Sequence, residues 1–357
     1  MTTRRQFLRM VAAGVSVIAL AACGQSGASA TPVPGGQSGS PPEKITLGYF
    51  PNVTHAPALV AVALNSFKDS LPNVRIDYKT FNAGPALIEA LFAGAVDVGY
   101  VGPSPAINGY SQSKGQALRI IAGAMSGGAS FIVRSAANIT SPADLSGKKI
   151  ASPQLGNTQD VALRFYLQQN GLKTRDKGGS VDVVPTQNPD IVNLFRQNQI
   201  DGAWVPEPWA STLVLQGQGD LLVDERTLWP EGKFSSVCLV ASPKLLKSGP
   251  DIVKGLLSAH LAAIDLIHHN RDEAKKLAGE HIGKLTSQPM PADVLDRAFS
   301  MQDATYDPLS SSILAGADHA FALGFLGNSK PDLSGLFDLH LLSEVLTAAG
   351  VDPVSAQ

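Results

Sequence analysis

Along the chain, short apolar runs alternate with longer stretches in which apolar residues recur every three or four positions. The short runs predict strands over residues 45–50, 74–81, 96–101, 118–122, 130–134, 149–152, 181–185, 202–205, 220–224 and 235–241. The periodic stretches predict helices between many of them, over 57–65, 85–93, 104–113, 159–170, 189–198 and 208–215. Strand–helix alternation of this kind predicts an α/β class with parallel sheets covered by helices on both faces. After Ala241 the pattern predicts no further strand, only helices over 250–270, 271–282, 291–301, 311–323 and 333–349. No short internal repeat is present.

The hydropathy pattern differs at the N-terminus. Arg4, Arg5 and Arg9 form a basic head, followed by a thirteen-residue apolar run over 10–22. That run is too short to span a bilayer, which takes about 20 residues, and it suits the core of a signal peptide. Thr3-Arg4-Arg5-Gln6-Phe7-Leu8 resembles a twin-arginine export motif. Leu20-Ala21-Ala22-Cys23 resembles a lipobox, which makes Cys23 the predicted lipidated residue. The next segment, 24–43, is rich in Gly, Ser and Pro and nearly devoid of apolar residues. It predicts a flexible tether, because it cannot bury enough surface to offset its ordering entropy. The expected organisation is therefore a signal peptide over 1–22, a lipidated tether over 23–43 and a globular body from residue 44.

Composition narrows the chemistry. The chain carries 28 basic and 30 acidic residues, and without Arg4, Arg5 and Arg9 the balance is 25 against 30. No basic stripe with interleaved aromatics is present, so nucleic acid is not an expected partner. The two cysteines are Cys23 and Cys238. With Cys23 lipidated, Cys238 has no disulfide partner and no cysteine metal cluster can form. His268 and His269 are adjacent and so point to different helix faces, a poor metal pair. The hydrolase, phosphate-loop, zinc-protease and dinucleotide signatures are all missing from the sequence. The expectation is a non-enzymatic protein without cofactor or metal.

Chemistry-bearing residues gather where predicted strands end. Pro51-Asn52-Val53-Thr54-His55, Asn82-Ala83-Gly84-Pro85, Gly102-Pro103-Ser104-Pro105, residues 153–159 and Trp204-Val205-Pro206-Glu207-Pro208-Trp209 each join a strand to a helix start. In open α/β sheets ligands bind at the carboxyl ends of strands, where helix N-termini present free N–H groups that suit anions. Asn82, Ser104 and Thr158 also qualify as plain helix caps.

IxLGYFPNxTHA, FNAGPALIEALFAGAVDVGYVGPSPAINGY, ASPQLGNTQDVALR and DGAWVPEPW resemble the substrate-binding proteins of ABC importers for sulfonates, nitrate and taurine, a family that also includes binding proteins for thiamine-precursor pyrimidines. The resemblance runs from about Lys44 to the C-terminus. It implies a type II periplasmic-binding-protein fold, two doubly wound α/β lobes with a ligand cleft between them and C-terminal helices on the first lobe. The lobes would comprise 44–130 with 238–357, and 131–237, with crossings near 127–134 and 234–241. Ligand contacts would come from Asn52, Thr54, His55, Asn82, Gly84, Gly102, Ser104, Gly127, Gln154, Asn157, Thr158, Trp204, Glu207 and Trp209. Trp204 and Trp209 would wall an organic ligand, and Glu207 would either meet an ammonium group or hydrogen-bond backbone N–H groups across the cleft. The implied partners are a small-molecule ligand, an ABC permease with its ATPase, and the membrane through the lipid anchor, with the protein itself a monomer. Aliphatic sulfonate leads among ligands, followed by nitrate, taurine and heterocyclic vitamins or precursors. A membrane-tethered ligand sensor is the alternative of another class. One relative on the same fold is a pyrimidine synthase with a cysteine-rich motif, which this chain lacks.

Overall fold

The structure is a computed structural model, and residues 41–355 are described. The signal sequence, the lipidated Cys23 and nearly all of the tether lie outside the described residues. Two sheets organise the rest. The first contains β1 (Lys44–Tyr49), β2 (Arg75–Thr80), β3 (Val98–Val101), β4 (Arg119–Gly127), β10 (Ser235–Ala241) and β11 (Gln302–Ala304), in the order β11-β4-β10-β3-β1-β2. The second contains β5 (Ala129–Arg134), β6 (Lys149–Pro153), β7 (Asp182–Thr186), β8 (Gly202–Pro206) and β9 (Gly219–Asp224), in the order β7-β6-β8-β5-β9. Every strand foreseen in the sequence is present within a few residues of its expected bounds.

The two sheets share one plan. In each, three strands run parallel, and a strand antiparallel to its neighbours separates them from the rest, β4 and β11 in the first sheet and β9 in the second. That antiparallel strand is β10 in the first sheet and β5 in the second. Strands β3, β8 and β10 are buried along their whole length, as expected where helices cover both faces.

The helices are α1 (Ala56–Ala63), α2 (Ser66–Ser70), α3 (Gly84–Phe92), α4 (Pro103–Gln112), α5 (Thr158–Gln169), α6 (Asn188–Arg196), α7 (Trp209–Gln216), α8 (Pro243–Ser248), α9 (Pro250–His269), α10 (Arg271–Thr286), α11 (Ala292–Ser300), α12 (Ser310–Ala322) and α13 (His340–Ala348). Proline occupies the first turn of α1, α3, α4 and α6, where its missing N–H costs no hydrogen bond. On one face of the first sheet α1, α9, α10 and α13 bury a core that includes Leu47, Leu59, Ile121, Leu257 and Leu342. On the other face α3, α4 and α12 enclose Leu87, Ile107, Ile120 and Ile313. The second sheet has its own pair of cores, around Phe131 and Trp204 and around Phe195 and Leu213. Among the described residues no helix is long and apolar enough to cross a membrane.

The chain passes between the sheets twice. The first passage is Gly127-Gly128, with φ of 76° and 73°. A Cβ at Gly128 would collide with Gln302 Oε1, so only glycine gives both the backbone conformation and the room. The second passage, residues 225–234, is built from the 3-10 turns Glu225–Leu228 and Pro230–Gly232.

Two expectations need correction. Strands do not stop at Ala241: β11 pairs antiparallel with β4 at the sheet edge. The helix expected over 333–349 starts only at His340, because Phe337 pairs with Ile120 as a β-bridge and its backbone is committed there.

Candidate binding site

Six strand–helix junctions meet between the sheets, and a small polar cavity of about 20 Å3 lies among them. The β1–α1 junction supplies Phe50, Asn52, Thr54 and His55. All three polar residues are buried, and Thr54 Oγ1 donates to Asn52 Oδ1 at 2.7 Å. The His55 ring stacks on Phe50 at 4.2 Å, and its Nδ1 accepts the Phe50 N–H at 3.3 Å. Desolvation holds the imidazole down at about 3, so the ring is neutral at ordinary pH. With Nδ1 accepting, the proton sits on Nε2, which leaves a donor at the cavity wall. His55 thus braces its own loop with one nitrogen and lines the cavity as well. Gln302 of β11 donates from Nε2 to Val53 O at 2.9 Å and holds this turn from behind.

The second sheet contributes Asn157, Thr158 and Gln159 from the start of α5, Asn188 from the start of α6, and Pro206 from the end of β8. Gly102 of the first sheet body lies so close to this wall that a Cβ there would collide with Thr158 Oγ1, and one at Gly84 would sit 3.2 Å from Asn157 Oδ1. These two glycines let the two bodies approach at the cavity. Asp160 fixes the loop before α5: it accepts from Ser152 Oγ at 2.6 Å, from Gly156 N at 3.0 Å and from Arg164 Nε at 3.1 Å.

Three features decide what the cavity can hold. Its lining carries no Asp, Glu, Lys or Arg. The helices that start at it, α1, α4, α5 and α6, have no side-chain hydrogen bond capping their N-termini. Two buried lining atoms, Thr158 Oγ1 and Asn188 Oδ1, have no hydrogen-bond partner. The Thr158 hydroxyl can donate, and the Asn188 amide offers either oxygen or NH2 depending on which way it is turned. An unpartnered buried polar group costs about 1–3 kcal/mol, so the cavity gains when a polar solute satisfies both. Uncapped helix N-termini add partial positive charge without any cationic side chain.

Of the residues expected at a ligand, Asn52, Thr54, His55, Asn82, Gly102, Asn157 and Thr158 line the cavity, and Gly84 abuts Asn157. The others lie elsewhere. Ser104 is buried in the first turn of α4. Gln154 lines a groove outside the cavity. Gly127 belongs to the first passage between the sheets. Trp204 is core: it packs on Phe131 and Tyr166, each at 5.4 Å, and donates from Nε1 to Glu225 Oε2 at 2.7 Å. Burial pushes that Glu225 carboxyl up to about 7. Trp209 opens α7 and packs on the core around Phe195. Glu207 is fully buried, and its Oε2 accepts Ser211 N at 3.0 Å while Oε1 meets Arg297 Nη1 of α11 at 3.4 Å. Its ties are thus to its own helix and to a guanidinium. Cys238 is buried in β10, its Sγ 3.4 Å from Val101 O, and burial pushes the thiol up to about 12.

Phe50, Asn188, Ser236 and Val237 line the cavity without having been expected there, as do Gln159 and Pro206, which the junction motifs contain but which were not among the expected ligand contacts. Asn188-Pro189 carries the same polar-then-proline punctuation as the other junctions and was legible on that ground. Ser236 sits inside β10 with no local signal.

A family model describing the NMT1-like family matches residues 38–282. The chain belongs to the NMT1-like family. Within reach of this NMT1-like chain are curated relatives of similar length. The taurine-binding periplasmic protein of Escherichia coli (strain K12) is 28% identical over 221 residues, which is 61% of this chain and 65% of that protein, slightly under two thirds of its length. A candidate aliphatic sulfonates-binding protein of the same organism is 27% identical over 280 residues, 77% of this chain and 82% of that one. Among solved structures, the alkanesulfonate-binding protein SsuA from Xanthomonas axonopodis pv. citri bound to MOPS superposes with a TM-score of 0.71 at 22% identity, covering 84% of this chain and all of that one. The periplasmic nitrate-binding protein NrtA from Synechocystis PCC 6803 superposes at 0.73 with 18% identity, over 89% and 93% of the two chains. The fold is that of periplasmic binding proteins.

Proposed function

We propose that this chain is the extracytoplasmic solute-binding component of an ABC importer and that it captures a small oxyanion, with aliphatic sulfonate first among candidates. The observation that carries this reading is the buried, uncharged chamber at four uncapped helix N-termini, with Thr158 Oγ1 and Asn188 Oδ1 left unpartnered in its wall. Neutral donors and helix ends recognise an anion without an opposing charge to trap it, so the solute can be released again. The relatives named for taurine, sulfonate and nitrate binding favour the same class. In this reading the two sheet bodies are lobes, roughly 44–130 with 238–357, and 131–237, that close by rotation about Gly127-Gly128 and residues 225–234. Capture involves no covalent step, and the closed form is what a permease with its ATPase would receive. Cys23 would carry a lipid that holds the body near the membrane.

A thermal-shift and calorimetry panel of methanesulfonate, taurine and nitrate tests this. At 100 times the dissociation constant, a true ligand stabilises the protein by about 2.7 kcal/mol. A raised melting temperature with one of these anions, and none with the matching alcohols or amines, is expected. No shift with any anion overturns the reading. Release of Cys23→Ala from membranes after a carbonate wash is expected for the lipid anchor, and continued pelleting would overturn it.

A further inference from the structure

The chamber between the two sheet bodies has room for about one water, so in this arrangement the bodies press on each other through their own side chains. Helix α5 of the second body makes much of that contact. Its Leu163 and Leu167 belong to the core of their own body, around Phe131 and Trp204. Its Thr158, Val161 and Phe165 are spaced i, i+3 and i+7, which puts them on one face, and all three meet the first body. Thr158 Oγ1 lies where a Cβ on Gly102 would sit. Val161 is buried in the first-body core that holds Leu87, Ile107 and Ile313. Phe165 stacks on His319 of α12, with ring centroids 3.6 Å apart and planes 14° from parallel. His319 also meets Trp229 of the second passage at 5.6 Å, and Trp229 stacks on Phe234 at 5.7 Å. The indoles of Trp229 and Trp204 both bond the buried Glu225 carboxyl, which ties Trp229 back to the second body. Phe165, His319 and Trp229 are each half-buried, so parting of the bodies would wet their stacked faces. Neither these three nor Val161 lines the chamber.

We propose that Val161 and Phe165 of α5, closed on the first-body core and on His319 and braced by Trp229, form a latch that draws the two bodies together without help from a solute, and that this latch sets the fraction of closed protein before binding. This rests on the reading above that the bodies move as lobes. An aromatic pair favours its contact by about two- to tenfold in the equilibrium constant, enough to keep a closed population beside an open one.

Electron–electron double resonance between spin labels at Glu89 and Asn193, both exposed and one on each body, reads the closed fraction in the protein alone. The wild type should show a short-distance and a long-distance component. Phe165→Ala and Trp229→Ala should each lower the ratio of short to long by about threefold or more. Val161→Thr, nearly isosteric and outside the cores of its own body, should lower it too, because its hydroxyl is buried without a partner only when the bodies meet. His319→Phe keeps a ring for Phe165 to stack on and should hold the ratio within about twofold. Two outcomes overturn the latch and leave lobe motion standing: a ratio that Phe165→Ala and Val161→Thr both leave unchanged, or a short component that appears only on adding methanesulfonate, taurine or nitrate. A single distance that no variant and none of these anions alters overturns the lobe motion itself, and the latch with it.

Discussion

Asn157 shows how a residue at a helix start can be free of the helix. It occupies the N-cap position of α5, yet its side chain makes no capping bond; its Nδ2 reaches Gln159 Oε1 at 3.4 Å. A capping asparagine is worth about 1 kcal/mol, and that contribution is missing here. Asn157→Ala should therefore leave the ligand-free melting temperature nearly unchanged. In the binding reading it should raise the dissociation constant about tenfold, through faster release in stopped-flow measurements. A drop in ligand-free stability with unaltered release would show that the side chain serves only the helix. His260 gives a second residue-scale test. It is buried, its Nδ1 2.9 Å from the Tyr100 hydroxyl and its Nε2 2.8 Å from Gly123 O, and burial holds it down at about 4. The unfolded chain takes up that proton near pH 6.5, so below 6.5 the unfolded state binds more protons than the folded one. The stabilisation is present above pH 6.5 and is lost as pH falls towards 4, by up to about 1.4 kcal/mol per unit. His260→Gln should be less stable at pH 7 but lose stability less steeply between pH 6.5 and 4, as read by urea midpoints at several pH values.

At the scale of elements, the contact between α7 and α11 joins the two sheet bodies. Arg297 Nη1 lies 3.4 Å from Glu207 Oε1 and 3.1 Å from Ser211 Oγ. Glu207 is fully buried, and desolvation raises its carboxyl above the ordinary range. Removing its partner leaves a buried charge uncompensated, at a cost of about 3 kcal/mol. Arg297→Met should lower stability by that order at pH 7. Because a raised carboxyl binds its proton more readily in the folded state than in the unfolded one, the deficit should shrink as pH falls towards the unfolded value near 4.5. A deficit that stays constant with pH would show that lost packing, not the carboxylate, sets it. These elements also show what the sequence made legible. Pro-Gly-Asn punctuation located the strand–helix junctions, and seven of the cavity's residues came from it. The direction of Trp204 was not legible: β8 is buried on both faces, so the alternation that would reveal which way a side chain points is lost. Aromatic and acidic residues in a proline-bounded turn read as a ligand wall, while the turn in fact starts α7 and ties it to α11. Strand β11 is Gln-Asp-Ala, with no apolar pattern to mark it.

On the scale of the molecule, the cavity has walls from both sheet bodies, and closure about the two passages would make and unmake it. Spin labels at Glu89 on α3 and Asn193 on α6, both exposed, report the separation of the two bodies. A saturating ligand should narrow the distance distribution and shift it towards shorter values. Gly128→Ala, which introduces a Cβ against Gln302 at a left-handed backbone position, should broaden it and weaken binding. An identical distribution with and without ligand would mean that binding needs no movement of the bodies.

The insertion of β10 between β3 and β4 has a consequence for the order of assembly on the ribosome. Strand β4 pairs with β10 and β11 and bridges through Ile120 to Phe337, all of them made more than a hundred positions later. The second sheet, β5 to β9, draws all its strands from the continuous span 129–224. The body that comes second in the sequence can thus complete its sheet while the first still waits for its central strand. Pulsed hydrogen exchange on nascent chains should protect amides of β5, β6 and β8 before those of β4. A growing chain would then carry an unfinished N-terminal half joined to a finished middle.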